Sequence, residues 1–239
     1  MPSQKTLSGK VALVTGASRG IGFAIARTIA RLGAAVGICA RNANKLDEAA
    51  ARLRASGAKV LALPADVTRA DEIAVLVERT ERELGPIEVL VNNAGLGYFG
   101  PAHEAAESVW DSVLDTNLKA VFLLTKAVAP GMIRRKTGHI INVASLAGKN
   151  SFAGGAVYCA SKWGLLGFTY SAAEDLRTHG IRVAAICPGT VHTDFGAHEG
   201  KDPHKMLQAE DVAHAVEMLI TQAPQSFISE VLLRPTLKP

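Results

Sequence analysis

Cysteine is scarce in this chain: 239 residues carry three, Cys39, Cys159 and Cys187. Three thiols spread so far apart build no disulfide framework, and the apolar runs around Cys39 and Cys187 make those two small core residues. Aromatic residues are also few, at 5%, and the basic residues are scattered. A nucleic-acid surface of stacked rings and clustered cations is therefore not expected, and the net charge of +4 reads as ordinary solvated surface. No uninterrupted apolar run reaches the roughly 18 residues that a membrane span needs, and no charged-then-apolar leader opens the chain. The expectation is a cytoplasmic protein with neither membrane nor nucleic acid as partner. Repeats, low-complexity tracts and linkers are missing too. A single domain over residues 1–239 is expected, long enough to bury a full core. The one tight basic cluster, Arg134-Arg-Lys136, fits a helix C-terminus, where cations meet the macrodipole, or a docking patch for an acidic partner.

What the chain does have is alternation. Apolar runs near residues 10–15, 35–40, 58–63, 87–92, 138–144, 181–187 and 227–233 read as strands, with helical spacing between most of them. Strands that alternate with helices make a parallel sheet covered on both faces. Two turn-rich stretches, 95–101 and 193–203, follow predicted strand ends. Ligands of an open α/β sheet bind at those carboxyl ends.

The first strand runs into Thr15-Gly-Ala-Ser-Arg-Gly-Ile-Gly22, followed by a helical pattern that Gly33 closes. Glycines let backbone approach an anion, and the unpaired N–H groups of a helix start point at it. Gly16, Ser18, Arg19, Gly20, Ile21 and Gly22 are the candidate phosphate cradle. In a dinucleotide site an acid about 20 residues further on takes the ribose hydroxyls and repels a 2′-phosphate. Here Ala40 stands in that place and Arg41 follows. Arg41 and Arg19 suit a phosphate, so NADP rather than NAD is the expected cofactor. A second match to a glycine fingerprint, Gly95-Leu-Gly-Tyr-Phe-Gly100, fails on context. Its matching acid, Asp115, lies in a predicted helix and not at a strand end.

Tyr158 and Lys162 sit four apart on a predicted helix and share a face, so the ammonium can favour the phenolate and lower the tyrosine's pKa. Ser145 ends a predicted strand, placed to hydrogen-bond an oxygen on which charge develops. Asn117 falls mid-helix, where asparagine needs a reason. His192, His198 and His204 are widely spaced in a polar loop, and no metal site is expected of them. Leu96, Tyr98, Phe152, Phe195 and Met206 are candidates for an apolar substrate pocket.

Together, Thr15–Gly22, Asp66-Val67, Asn92-Asn93-Ala94-Gly95, Asn117, Ser145, Tyr158-x-x-x-Lys162 and Pro188-Gly189-x-Val191-x-Thr193 resemble the short-chain dehydrogenase/reductase family across nearly the whole chain. The resemblance implies a Rossmann-type doubly wound α/β sheet of seven parallel strands, order 3-2-1-4-5-6-7, with three helices on each face. The helices expected over 105–132 and 155–178 carry more apolar residues than one buried face needs, among them Val121, Phe122, Leu165, Leu166 and Phe168, and the resemblance implies a homotetramer that pairs them. It implies that Asp66 and Val67 pack at the adenine and that Asn93, Ala94 and Gly95 lie beside the ribose. Val191 and Thr193, after Pro188 and Gly189, would meet the nicotinamide carboxamide. Tyr158 would be the acid/base that protonates a carbonyl oxygen, with Lys162 tuning it, Ser145 orienting the carbonyl and Asn117 holding a water. The chain departs from the carrier-protein ketoacyl reductases of the family in having Ser229 where those have glycine. It also ends in Arg-Pro-Thr-Leu-Lys-Pro239 where those end in Asp-Gly-Gly. Two readings stand at this stage: a reductase of ketones, aldehydes or 3-oxoacyl thioesters, and a protein that senses NADP(H) without turnover.

Overall fold

The computed structural model describes residues 6–196 and 202–238. Its centre is β1, Val11–Thr15, buried along its whole length. Alternate residues of this strand face opposite ways: Ala12 and Val14 pack into one apolar layer, Val11 and Leu13 into the other. That two-residue period on a strand buried on both sides is why the run is continuously apolar. Six more strands join it: β2 Ala35–Ala40, β3 Val60–Pro64, β4 Ile87–Asn92, β5 Gly138–Val143, β6 Ile181–Pro188 and β7 Glu230–Leu233. They lie in the order β3-β2-β1-β4-β5-β6-β7, every neighbouring pair parallel, as expected. Helices α1 (Gly20–Arg31), α2 (Ala43–Ala55) and α7 (Ala209–Thr221) cover one face. Helices α3 (Ala70–Leu84), α5 (Ala120–Arg135) and α6 (Ala156–Arg177) cover the other, with α4 (Glu107–Leu114) leading into α5. The chain leaves β1 toward β2 in one direction and takes up β4 on the other side. The carboxyl ends of β1 and β4 therefore diverge and open a crevice.

Two elements differ from their sequence reading. The strand expected from 227 begins at Glu230, because Ile228 gives its N–H to the Gln222 side chain at 2.9 Å instead of extending the ladder. The helix expected as one piece over 105–132 is α4 and α5 joined by a π-helical turn, Asp115–Lys119. The extra residue in that turn brings Asn117 into the interior, where it is buried. The basic cluster is a helix end. Lys136, in the left-handed region at φ 54°, stops α5, and Arg135 donates to the carbonyl of Ile87 at 2.6 Å.

A polar chain crosses the buried sheet just below the crevice. Asn92 Nδ2 donates to Asn142 Oδ1 at 2.8 Å, and Asn142 Nδ2 donates to Thr169 Oγ1 at 2.9 Å. Thr169 in turn donates to the Leu165 carbonyl at 2.6 Å. The chain couples β4, β5 and α6, the three elements that deliver Asn93, Ser145 and Tyr158. Replacing Asn142 by Leu leaves the Asn92 amide without its acceptor in the interior. Asn142→Leu is therefore expected to cost about 1–3 kcal/mol in urea unfolding, the range for a stranded buried polar group. A loss under about 0.5 kcal/mol would mean that the three elements hold together without it.

Candidate active site

One cleft of about 1220 Å³ opens along the carboxyl ends of the strands. It is lined by Gly16, Ser18, Arg19, Gly20, Ile21, Gly22, Arg41, Asp66, Val67, Asn93, Ala94, Gly95, Ser145, Tyr158, Lys162, Pro188, Gly189, Val191 and Thr193. Of the candidate catalytic and cofactor-binding residues, Asn117 alone lies behind the wall and not on it.

The turn after β1 is shaped by what cannot be there. Gly16 and Gly20 have φ of 64° and 56°, and a Cβ on Gly16 would come within 2.9 Å of the Ala94 backbone. A Cβ on Gly22 would overlap the Asn93 amide and the Gly16 carbonyl. Helix α1 therefore starts pressed against the β4 loop, its N-terminus without a side-chain cap and facing the cleft. Thr15 and Asn93 hold the two loops together. Thr15 Oγ1 accepts from the N–H groups of Asn93 and Ala94 at 3.0 and 3.1 Å, and Asn93 Nδ2 donates to the Thr15 carbonyl at 2.9 Å.

At the end of β2, Ala40 and the exposed Arg41 leave no acid facing the cleft. Asp66, which ends the β3 loop, turns its Oδ1 to the Thr68 N–H and hydroxyl at 2.9 and 2.8 Å. Those bonds, with Arg41 and Arg69 nearby, hold its carboxyl below the usual range despite the opposing effect of burial. Arg19 is not simply open to the cleft. Its Nη1 pairs with Asp194 Oδ2 at 2.7 Å, and both side chains are well exposed, so the pair is weak and can be exchanged.

Tyr158 and Lys162 do share one face of α6, yet the electrostatics differ from the expectation. Lys162 Nζ donates to the Val143 carbonyl at 2.9 Å and lies 5.8 Å from the centre of the Tyr158 ring. Burial pushes the lysine down to about 8 and the tyrosine up to about 12, the Ser145 hydroxyl only partly offsetting the second shift. In the protein by itself desolvation outweighs the cation, and the phenol is held neutral. Asn117 Oδ1 accepts from the Leu96 N–H at 2.7 Å, and its Nδ2 donates to the Leu96 carbonyl and to Ser161 Oγ at 2.8 and 2.9 Å. Its amide is thus a clamp on the loop after β4, with both donor hydrogens in use. Helical spacing alone gave no sign of Ser161, the clamp's second anchor.

The apolar end of the cleft is built of Phe99, Phe152 and Phe195. The stretch 96–101 reads as pocket wall in the sequence, but Phe99 is not singled out within it because that irregular stretch has no period from which to read a facing. Leu96, Tyr98 and Met206 do not line the cleft, and Met206 is buried under the loop before α7. His198 lies outside the described residues.

Residues 10–204 match the family described as short chain dehydrogenase. The chain belongs to that family. Nodulation protein G of Rhizobium meliloti (strain 1021) is 40% identical over 223 residues, covering 89% of this chain and 90% of that one. A 3-oxoacyl-[acyl-carrier-protein] reductase of Synechocystis is 37% identical over 231 residues, covering 93% and 94%. A solved metagenomic short-chain oxidoreductase, in complex with NADP, superposes with a TM-score of 0.86 at 48% identity, covering 97% of this chain and all of that one. This short-chain dehydrogenase has the glycine turn, the serine and the Tyr-x-x-x-Lys pair in one cleft.

The buried lysine gives a pH test. With a folded-state value near 8 against an ordinary 10.5, the unfolded chain binds more protons between those limits, so stability rises with pH through that window. Below pH 8 the penalty for the buried ammonium is fully present. Ligand-free wild type is expected to gain about 2 kcal/mol relative to Lys162→Met between pH 7 and pH 9.5, read by urea unfolding. A difference that does not change with pH would place the lysine's charge in water.

Proposed function

We propose that this short-chain dehydrogenase is an NADPH-dependent reductase of ketones or aldehydes, 3-oxoacyl thioesters among them, acting as one domain over residues 1–239. The observation that carries the reading is the placement of a buried phenol, Tyr158, beside the Ser145 hydroxyl and above Lys162, in the same cleft as an uncapped helix start and Arg41. The residues fit the cofactor: the glycine turn leaves no Cβ in the way, and β2 ends in Ala40 where an acid would repel the 2′-phosphate, with Arg41 next to it. The similarity to a structure that holds NADP supports this choice. NADPH, when bound, supplies the hydride.

Gly16, Ser18, Gly20, Ile21 and Gly22 hold the pyrophosphate, and Arg41 takes the 2′-phosphate. Arg19 joins it by exchanging Asp194 for the phosphate. Asp66 and Val67 wall the adenine, Asn93, Ala94 and Gly95 the ribose, and Pro188, Gly189, Val191 and Thr193 the carboxamide. Ser145 donates a hydrogen bond to the substrate's carbonyl oxygen. Tyr158 gives that oxygen a proton as negative charge builds on it, and regains one from solvent afterwards. Lys162, charged below about 8, opposes the cost of leaving a phenolate in a buried place. Asn117 keeps the Leu96 backbone, and with it the floor of the cleft, in position.

A homotetramer is part of this proposal. Of the five apolar residues taken from the sequence as surplus, Val121, Leu165 and Leu166 are buried within the chain itself and Phe168 packs against them. Phe122 stays exposed, as do Trp110 on α4 and Trp163 on α6, and these rings are the apolar surface that a second copy can cover.

Removing the proton donor is the test of mechanism. Tyr158→Phe is expected to lower kcat by ~10²–10⁴ while NADPH still binds, and Ser145→Ala to lower kcat more than cofactor affinity. Steady-state kinetics beside NADPH fluorescence decide it, and near-wild-type turnover in Tyr158→Phe sinks the mechanism. Cofactor choice is tested separately. Arg41→Asp is expected to weaken NADPH binding by roughly 1.5–3 kcal/mol, the range for hydrogen bonds to charged groups, and to improve use of NADH. A wild type whose kcat/KM favours NADH contradicts the reading of the β2 end.

A further inference from the structure

We infer that the substrate is a ketone carrying an aryl group within one carbon of the carbonyl, an inference that rests on the carbonyl-reductase reading above. Two rings pack beside Tyr158. Phe99 lies 5.5 Å away, centre to centre and tilted by 57°, and Phe195 lies 6.0 Å away, tilted by 49°. Phe152 continues the wall, 6.3 Å from Phe99 and inclined by 29°. All three line the cleft, with 45%, 39% and 48% of Phe99, Phe195 and Phe152 exposed, far more than a core ring shows.

The wall is built in place. Gly100 gives its N–H to the Gly154 carbonyl at 2.8 Å, so the loop after β4 and the loop before α6 are fastened where Phe99 and Phe152 project. A Cβ on Gly97 would lie 2.9 Å from the Phe99 ring and 3.2 Å from the Phe195 ring, so that glycine lets the two rings converge. A Cβ on Gly155 would strike the Phe152 ring at 2.6 Å. A carbonyl oxygen bonded to the Tyr158 hydroxyl brings its substituents into the part of the cleft that these rings line. A linear alkyl chain there gains contact area and loses rotamer freedom. An aryl ring gains the same area, has fewer torsions to freeze, and adds edge-to-face attraction to rings already tilted for it.

The test compares phenylacetone with cyclohexylacetone, whose carbonyls are both cut off from conjugation with the ring by one methylene. S-acetoacetyl-N-acetylcysteamine serves as the linear 3-oxoacyl thioester. NADPH consumption by the wild-type protein is followed with each. Phenylacetone is expected to have a kcat/KM about ten-fold above cyclohexylacetone and above the thioester, the size expected of one or two ring–ring contacts. In Phe99→Leu/Phe195→Leu, shown to be folded by thermal melting, the aryl-to-cyclohexyl ratio is expected to fall to within about two-fold of unity. Turnover with no aryl preference in the wild type, or a preferred thioester, overturns the inference and leaves the reductase reading standing. A ratio unchanged in the double variant overturns the role of the rings. No turnover of any of the three removes the reductase reading, and this inference with it.

Discussion

The cleft depends on one hydroxyl. Thr15 Oγ1 sits where β1 ends and β4 ends beside it, and it accepts two backbone N–H groups from the start of the β4 loop. Without that tie, two parallel strand ends feeding loops in opposite directions would have several donors facing one another in a buried place. With it, the glycine turn and the Asn93 loop become a single rigid lip. Everything that binds at this edge, from the helix start to the rings around Tyr158, is positioned relative to that lip. The polar chain through Asn92, Asn142 and Thr169 extends the same rigidity across the sheet to α6.

Burial decides the state of the chemistry as much as position does. Tyr158 and Lys162 are both pulled toward neutrality, one upward and one downward, because the interior penalises phenolate and ammonium alike. The lysine's closest bond is to a carbonyl, which holds the amine in place whether or not it is charged. A site poised in this way has its ionisable groups close together, the phenol neutral and the ammonium close to losing its proton, and a ligand with its own polar groups can shift both at once.

How much of this was legible in the chain follows from the range of the forces involved. The strands were readable because β1, β4, β5 and β6 are buried on both faces and so are each built around a short apolar run. Their order came with the family resemblance and not from periodicity. The glycine turn was readable because its requirement is local: a φ near +60° and no room for a Cβ. Arg41 was readable because it follows directly on a strand end. What stayed hidden was tertiary. The Arg19–Asp194 pair joins residues at opposite ends of the sequence. Phe99 lies in a stretch without a period, and the π-helical turn at Asp115–Lys119 breaks the spacing that a helix reading assumes. Val121, Leu165 and Leu166 looked like surplus because α5 and α6 pack against each other as well as against the sheet, which uses more of each helix than a single apolar stripe.

The contact between Gly22 and the Asn93 amide ties together two positions far apart in the chain. Neither can change alone: any side chain at 22 meets the amide, and a larger residue at 93 meets the first turn of α1. In evolutionary terms the two sites form one character. A lineage can redraw the end of β2 or the ring wall a residue at a time, because those side chains border open space. The lip where the first and fourth strands part has no such space, since a side chain at 22 also meets the Gly16 carbonyl whatever stands at 93, and it is therefore the part of this molecule that variation reaches last.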